Sequence, residues 1–410
     1  MEEPMVLRSN YTDLIRLYMD KPFIKVITGV HRCGKSHVLQ WVSRELRARG
    51  VDYQNILYRD FEVHGKGSLA DGKELAAALK QQMAERTGRR YLLLDEIQYL
   101  PGWERCVKEL YEREDCDIYL AGSKAALLEG KDAGLILRNC VQIRMYPYSF
   151  SEFLEQEREE EPGLPRDVCF ERFFRLGSMP GIRLFHHEEE AVHQYLLDVC
   201  KAAMLQDAVR ENNLRGIGQL WMVLGYLAET LGQPVSAKTI SDGMNRTGRQ
   251  ISKDTVYAML KALESGHIIY RAKRYDLKEG RAVEAREKYY FSDWGIYHAL
   301  HGIEAHGTQG VLENMVCMEL LARGFRVYRG KIGRREFDFW AERGKEQYCI
   351  QVRKNLEDAE EAKEAASVLA SVKRQCRKLF LLKEGEAPAG QKGRRKEIVY
   401  RNILDFLENA

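Results

Sequence analysis

The chain has 410 residues, of which 45% are hydrophobic and 30% are charged, and its formal net charge is +3. This composition excludes a disordered chain, and the length predicts two or three domains. No apolar run approaches the ~20 residues that a membrane-spanning helix needs, and residues 1–4 lack the apolar core of a signal peptide. We therefore expect a folded cytoplasmic protein that has no membrane partner.

The first predicted elements are a buried strand over residues 23–28, a glycine-rich loop and a helix over residues 36–46. The loop has the sequence Gly29-Val30-His31-Arg32-Cys33-Gly34-Lys35-Ser36, and His37 follows it. The pattern Gly-x-x-x-x-Gly-Lys-Ser/Thr between a strand and a helix is that of a phosphate-binding loop, whose backbone amides bind phosphate. We expect Lys35 to reach the β- and γ-phosphates and Ser36 to ligate Mg²⁺. The sequence therefore predicts a nucleoside triphosphate site over residues 29–37.

A second part of such a site follows the apolar strand over residues 91–94, which ends in Asp95 and Glu96. Asp95 is expected to hold the Mg²⁺ shell, and Glu96 to orient or deprotonate the attacking water. Alone, this segment also fits a buried strand that is followed by a solvated acidic turn. Together with the phosphate-binding loop it favours ATP hydrolysis, with Lys35 and Glu96 as the catalytic residues. A guanine-reading Asn/Thr-Lys-x-Asp motif is not evident.

Two more strands, over residues 55–58 and 117–122, complete a doubly wound parallel sheet. Ser123 follows the second strand, where a polar residue senses the γ-phosphate in AAA+-like proteins, but it fits the N-cap of the next helix equally well. Arg138 precedes a further strand, and it is either a phosphate contact or a solvated arginine. We assign residues 1–160 to an AAA+-like P-loop ATPase domain of the α/β class.

Residues 161–218 are predicted to form a helical linker region, and residues 219–302 a winged helix-turn-helix domain. Three apolar-periodic helices precede two strands, over 268–275 and 288–291, that are typical of a wing. One interpretation places the third helix in a DNA major groove, with basic wing residues on the phosphates. The other, which we favour because the third helix also carries acidic residues, is a lid or protein-contact module.

Residues 303–410 are predicted to form a restriction-endonuclease-like α/β domain. Glu313 lies in a predicted helix, Asp338 in a strand, and Gln351 and Arg353 in the next strand. This is the layout of PD-(D/E)xK nucleases, in which acidic residues hold Mg²⁺ and a lysine positions the attacking water. Arg353 replaces that lysine poorly, because a guanidinium does not deprotonate and is a planar fork. We therefore expect a degenerate nuclease fold that is kept for binding or packing.

Several segments together resemble the bacterial and archaeal AAA-type ATPases with a C-terminal DUF4143 region. They are residues 29–36, 92–96, 121–123, 146–153, 177–180, 288–295 and 312–314. The resemblance extends over nearly the whole chain, and the segment Tyr-Pro-x-Ser-Phe-x-Glu-Phe at residues 146–153 is distinctive. It implies ATP binding and hydrolysis but no particular biological role. The family's Gly-Arg before the last strand is Leu137-Arg138-Asn139 here, so the resemblance does not assign an arginine finger.

Three hypotheses follow from the sequence. The first is an Mg²⁺-dependent ATPase that acts as a nucleotide switch on the winged-helix and nuclease-like domains, with ATP and another protein as partners. The second is an ATP-gated protein that binds or cleaves DNA, with Glu313 and Asp338 as a metal site. The third is an interaction module that binds ATP without hydrolysing it.

Overall fold

A computed structural model of the chain describes residues 7–64, 71–84, 87–112, 116–122, 127, 134–205, 217–302, 307–385 and 398–408. The chain divides into two compact units. Unit 1 comprises Met1–Met145 and Ser265–His267, and unit 2 comprises Tyr146–Glu264 and Ile268–Ala410. None of the described helices is both long enough and apolar enough to cross a bilayer.

Unit 1 contains a five-stranded sheet and the helices that surround it. Its strands are β1 (Ile24–Thr28), β2 (Ile56–Asp60), β3 (Arg90–Asp95), β4 (Cys116–Gly122) and β5 (Cys140–Arg144). Its described helices are α1 (Ser9–Tyr18), α2 (Lys35–Ala48), α3 (Phe61–His64), α4 (Gly72–Ala84), α5 (Trp103–Tyr111) and α6 (Gly134–Arg138).

The sheet of unit 1 has the strand order β2-β3-β4-β1-β5, and every pairing is parallel. Its central strands β1 and β4 are buried along their whole length, as is expected where a parallel sheet has helices on both faces. The predicted parallel sheet of a P-loop fold is therefore confirmed. The carboxyl ends of the strands meet at one edge, which is where open α/β sheets bind ligands. The register places Asp95 beside Ala121, and Thr28 beside Gly122, at this edge.

A buried ion pair joins β1 to β4. The ammonium of Lys25 contacts the carboxylate of Asp117, and neither side chain is more than 1% exposed. Asp117 also accepts hydrogen bonds from the Tyr119 hydroxyl at 2.9 Å and from the Asp20 amide at 3.0 Å. These partners satisfy a charge that would otherwise be costly to bury.

Unit 2 contains the remaining elements. Its described helices are α7 (Phe150–Glu160), α8 (Arg166–Leu176), α9 (Glu189–Ala203), α10 (Ile217–Glu229), α11 (Ala237–Arg246), α12 (Lys253–Ser265), α13 (Gly295–His301), α14 (Thr308–Ala322), α15 (Ala359–Ser371) and α16 (Ile403–Glu408). Its strands are β6 (Ile269–Asp276), β7 (Arg281–Phe291), β8 (Arg326–Ile332), β9 (Arg335–Arg343), β10 (Glu346–Arg353), β11 (Arg377–Leu382) and β12 (Ile398–Asn402).

The seven strands of unit 2 form one sheet in the order β12-β11-β10-β9-β8-β6-β7. The two strands that were predicted as a wing, β6 and β7, are an antiparallel pair within it, and β6 also pairs in parallel with β8. The predicted boundary between residues 302 and 303 thus falls inside a continuous sheet. A separate winged-helix domain is not confirmed, because the edge of β6 that a wing would leave open is hydrogen-bonded to β8.

The motif segments at residues 177–180 and 292–295 pack against each other in unit 2. The buried carboxylate of Asp293 accepts hydrogen bonds from the amides of Ser178, at 2.7 Å, and Gly295, at 2.6 Å. Gly177 has a φ of +90°, and a Cβ there would overlap the Asp293 carboxylate. The Trp294 indole also donates to the Phe173 carbonyl at 2.9 Å. These motif residues therefore join the end of α8 to the start of α13.

Candidate nucleotide-binding site

The phosphate-binding loop lies between β1 and α2, at the carboxyl edge of the sheet in unit 1. Gly34 precedes α2 with a left-handed φ of 104°, a conformation that glycine adopts without the penalty that other residues pay. A Cβ at Gly29 would overlap the carbonyl oxygen of Met145. Both loop glycines are therefore required by the local backbone, and the loop leads directly into the N-terminus of α2, the end of a helix that favours anions.

Lys35 is buried at the first position of α2, with 3% of its surface exposed. Its ammonium donates to the carbonyl oxygens of Gly29, at 3.2 Å, and Val30, at 3.3 Å. The same nitrogen lies 3.3 Å from Oε1 of Glu96. The cation is thus held inside the loop by its own backbone and by one acidic residue.

Asp95 is the last residue of β3, and its carboxyl contacts the hydroxyl of Ser36 in the first turn of α2. Burial raises the pKa of the Asp95 carboxyl, and the nearby hydroxyls of Ser36 and Tyr58 oppose this shift. The Tyr58 hydroxyl donates to Oδ2 of Asp95 at 2.9 Å. A hydroxyl and a carboxylate beside a phosphate-binding loop fit Mg²⁺, which takes one or two protein oxygens and completes its shell with phosphate and water. Among the described residues, no cluster of three or more His, Cys, Asp or Glu could hold a metal ion alone.

Glu96 adopts a left-handed backbone conformation, with φ 48° and ψ 41°. This conformation is uncommon for a residue with a side chain, and such positions concentrate at functional sites. One carboxylate oxygen faces Lys35, and the other accepts a hydrogen bond from the Gln98 amide. The backbone turn therefore brings the Glu96 carboxylate to the loop.

Sequence reasoning missed four residues around this site. A guanidinium nitrogen of Arg8 donates to the carbonyl of Cys33 at 2.8 Å, and Nε2 of His31 lies 3.3 Å from Oε1 of Glu62. Tyr58 and Gln98 contact the two acidic residues as described above. Gln98 was the easiest to find, since it follows Glu96 by only two positions, whereas Arg8, Tyr58 and Glu62 come from segments without a motif.

Of the two predicted sensor residues, the structure describes Arg138 but not Ser123. Ser123 lies outside the described residues. Arg138 is exposed at the end of α6, which favours the solvated arginine that was the alternative to a phosphate contact. Its role toward phosphate stays a prediction.

The four predicted nuclease-like residues come together in unit 2. The Asp338 carboxylate accepts hydrogen bonds from Gln351, at 2.6 Å, and Arg353, at 3.3 Å. Glu313 and Asp338 both contact the ammonium of Lys288, at 2.8 Å and 3.4 Å. Lys288 belongs to the predicted wing and to the motif segment 288–295, and its place between the two acidic residues is a finding of the tertiary structure.

Two family models match separate parts of the chain. A model described as an AAA domain matches residues 21–154. A model described as a domain of unknown function, DUF8612, matches residues 169–307. The predicted DUF4143 region is thus not confirmed, and the domain found after the AAA domain is a different one.

Two relatives and one solved structure are similar to this chain. An uncharacterized protein of Haemophilus influenzae is 30% identical over 352 residues, which are 86% of this chain and 88% of that protein. An uncharacterized protein of Methanocaldococcus jannaschii is 23% identical over 290 residues, 62% of this chain and 58% of that protein. The structure of a Walker-type ATPase of Pyrococcus abyssi is similar with a TM-score of 0.50 and 17% identity, over 73% of this chain and 97% of that one. The chain belongs to the family of its Haemophilus influenzae relative, and it is a P-loop protein of the AAA type.

Proposed function

We propose that this protein is an Mg²⁺-dependent ATPase whose reaction takes place at the carboxyl edge of the sheet in unit 1. The observation that carries the proposal is the contact between Lys35 and Glu96, 3.3 Å apart, beside Ser36 and Asp95. A phosphate-binding lysine, two Mg²⁺-ligating groups and a carboxylate for water are the parts that ATP hydrolysis requires. All four come from two short segments that end at the same edge of the sheet.

ATP binding changes the partners of Lys35. The amides of the loop and of the first turn of α2 hold the β-phosphate, and the ammonium turns from the carbonyls of Gly29 and Val30 to the phosphate oxygens. Ser36 and Asp95 are the residues that would hold Mg²⁺, which when bound neutralises charge on the phosphates.

Glu96 is released from Lys35 when the phosphate takes its place. Its carboxylate then accepts a proton from the attacking water or orients that water toward the γ-phosphate. The hydrogen bond from Gln98 keeps the carboxylate directed toward the loop while this exchange takes place. Gln98 is thus a positioning residue for Glu96.

Phosphate release tests this proposal with three variants. Lys35→Ala is expected to lose ATP binding and turnover together, since the β- and γ-phosphates lose their cation. Glu96→Gln is expected to keep ATP binding and to lose turnover by roughly 10²–10⁴-fold, the contribution of a positioned base. Glu112→Gln, at an exposed glutamate after α5, is the matched control and should behave as the wild type. Unchanged turnover in both Lys35→Ala and Glu96→Gln would show that the reaction does not use this site.

A further inference from the structure

A buried ammonium lies between two buried carboxylates in unit 2. The Lys288 nitrogen, on β7, is 2.8 Å from Oε2 of Glu313 on α14 and 3.4 Å from Oδ1 of Asp338 on β9. The exposed fractions of these three residues are 8%, 4% and 7%. One lysine thus connects the β6–β7 hairpin to a helix, α14, and to a strand, β9.

Both carboxylates accept further hydrogen bonds. Oε2 of Glu313 also accepts from the Tyr290 hydroxyl at 3.0 Å, and Oε1 accepts from the Gln309 amide at 3.2 Å. Oδ2 of Asp338 accepts from the Gln351 amide at 2.6 Å, the Val352 amide at 2.8 Å and the Arg353 guanidinium at 3.3 Å. Each of the four carboxylate oxygens therefore already has a hydrogen-bond donor.

Positive charges oppose both buried carboxylates of this cluster. Glu313 and Asp338 supply two negative charges, and Lys288 and Arg353 supply two positive ones, of which Arg353 also pairs with the exposed Glu361 at 3.1 Å. The Lys288 nitrogen lies 2.8 Å from one carboxylate and 3.4 Å from the other, and two nearby carboxylates favour the charged form of an amine. A divalent cation would have to displace this ammonium and would leave it buried without a partner.

The layout of a nuclease implies a divalent metal at Glu313 and Asp338, and the residues present do not fit one. A metal site needs free oxygens, whereas Gln351 and Arg353 present donors to Asp338 and the ammonium fills the space between the acids. We infer that Lys288 takes the place of the divalent cation. The cluster is then a buried ion-pair network that binds no metal and cleaves no DNA.

This inference predicts that Glu313 and Asp338 bind a metal ion only when Lys288 is removed. Thermal unfolding of the full chain, without nucleotide, is measured over a Mn²⁺ titration. Wild type and Asp338→Asn should show the same response to Mn²⁺, because the cluster holds no metal in either. Lys288→Met should unfold at a lower temperature and should regain stability with Mn²⁺. Lys288→Met/Asp338→Asn should show no such recovery, since one of the two acidic ligands is gone.

Lys273→Met is the matched control, because Lys273 lies in the same hairpin and pairs with an exposed glutamate, Glu284, at 2.7 Å. It should leave both the unfolding temperature and the Mn²⁺ response at wild-type values. Where Lys288→Met does not fold, Lys288→Met/Glu313→Gln removes one charge of each sign and should fold more readily. The inference is overturned by a Mn²⁺ stabilisation of the wild type that Asp338→Asn removes, or by Mn²⁺-dependent DNA cleavage that Asp338→Asn abolishes. It is also overturned by a Lys288→Met chain that is as stable as the wild type.

Discussion

Glu96 combines a left-handed backbone with a carboxylate whose two oxygens contact different partners, Lys35 and Gln98. A backbone conformation of this kind costs of order 1–3 kcal/mol and persists only when its surroundings hold it in place. The contacts on both oxygens supply that support. The position of the residue that we propose as the base is therefore set by Lys35, which we expect to bind phosphate, and by Gln98, which we do not expect to contact the substrate.

Gln98→Ala tests this dependence on a neighbour. A hydrogen bond to a charged group contributes about 1.5–3 kcal/mol, so turnover should fall roughly 10- to 100-fold while the KM for ATP stays the same. Steady-state phosphate release over a range of ATP concentrations measures both quantities. Gln54→Ala, at an exposed glutamine, is the control. A rise in KM without loss of turnover would mean that Gln98 acts on nucleotide binding and not on Glu96.

Asp293 gives unit 2 a pH-dependent stability. Burial raises the pKa of its carboxyl to about 6 from 3.8, although the amides of Ser178 and Gly295 oppose this shift. The folded chain then binds the proton more tightly than the unfolded chain does. The contribution is thus present below pH 4 and is lost as the pH rises through about 6, which amounts to about 3 kcal/mol.

The pH dependence of the unfolding free energy in wild type and Asp293→Asn measures this contribution. The wild type should lose stability relative to the variant between about pH 4 and pH 6. The difference between the two curves is the quantity of interest, because the variant also loses hydrogen bonds at every pH. Parallel curves would show that Asp293 keeps an ordinary pKa in the folded chain.

Among the secondary structure elements, the central strands of unit 1 depend on a charge pair as well as on apolar packing. Lys25 on β1 and Asp117 on β4 lie in the interior of a parallel sheet, where neighbouring strands are joined by hydrogen bonds that carry no side-chain specificity. Two charges that require each other favour the pairing of these two strands over other pairings.

Asp117→Ala should destabilise unit 1 by about 3–5 kcal/mol, because it leaves a buried ammonium without its counter-charge. Lys25→Met/Asp117→Ala should recover part of this loss, since no unpaired charge remains. Calorimetric unfolding compares these variants with Lys108→Met, an exposed lysine on α5 that serves as the control. A double variant that is less stable than Asp117→Ala would show that the pair contributes packing and not charge compensation.

For the whole molecule, the switch hypothesis predicts that ATP changes unit 2 as well as unit 1. The Glu96→Gln chain is expected to hold ATP without hydrolysing it, so that its bound state can be measured by hydrogen exchange. ATP should protect amides of residues 29–37 and 95–99 and should also alter exchange in unit 2, whereas ADP should affect only unit 1. Changes confined to unit 1 with both nucleotides would contradict the switch and favour a protein that uses ATP as a bound ligand.

Local patterns in the sequence determined the P-loop fold of unit 1. The strand, loop and helix around residues 29–36 and the apolar strand that ends in Asp95 are contiguous, so their hydrophobic pattern and glycines specify them without reference to the rest of the chain. The N-caps of α11 and α12, Ser236 and Ser252, were predictable for the same reason.

Only the tertiary structure decided which residues from distant segments meet. The strands of a wing and the first strands of a mixed sheet have the same alternating pattern. The parallel pairing of β6 with β8 joins strands that are separated in the sequence by β7, α13 and α14. The contacts of Arg8, Tyr58 and Lys288 likewise join segments that no motif connects. The hydrophobic pattern of a helix or strand indicates which of its faces is buried. Which other element packs against that face depends on the packing of the complete chain.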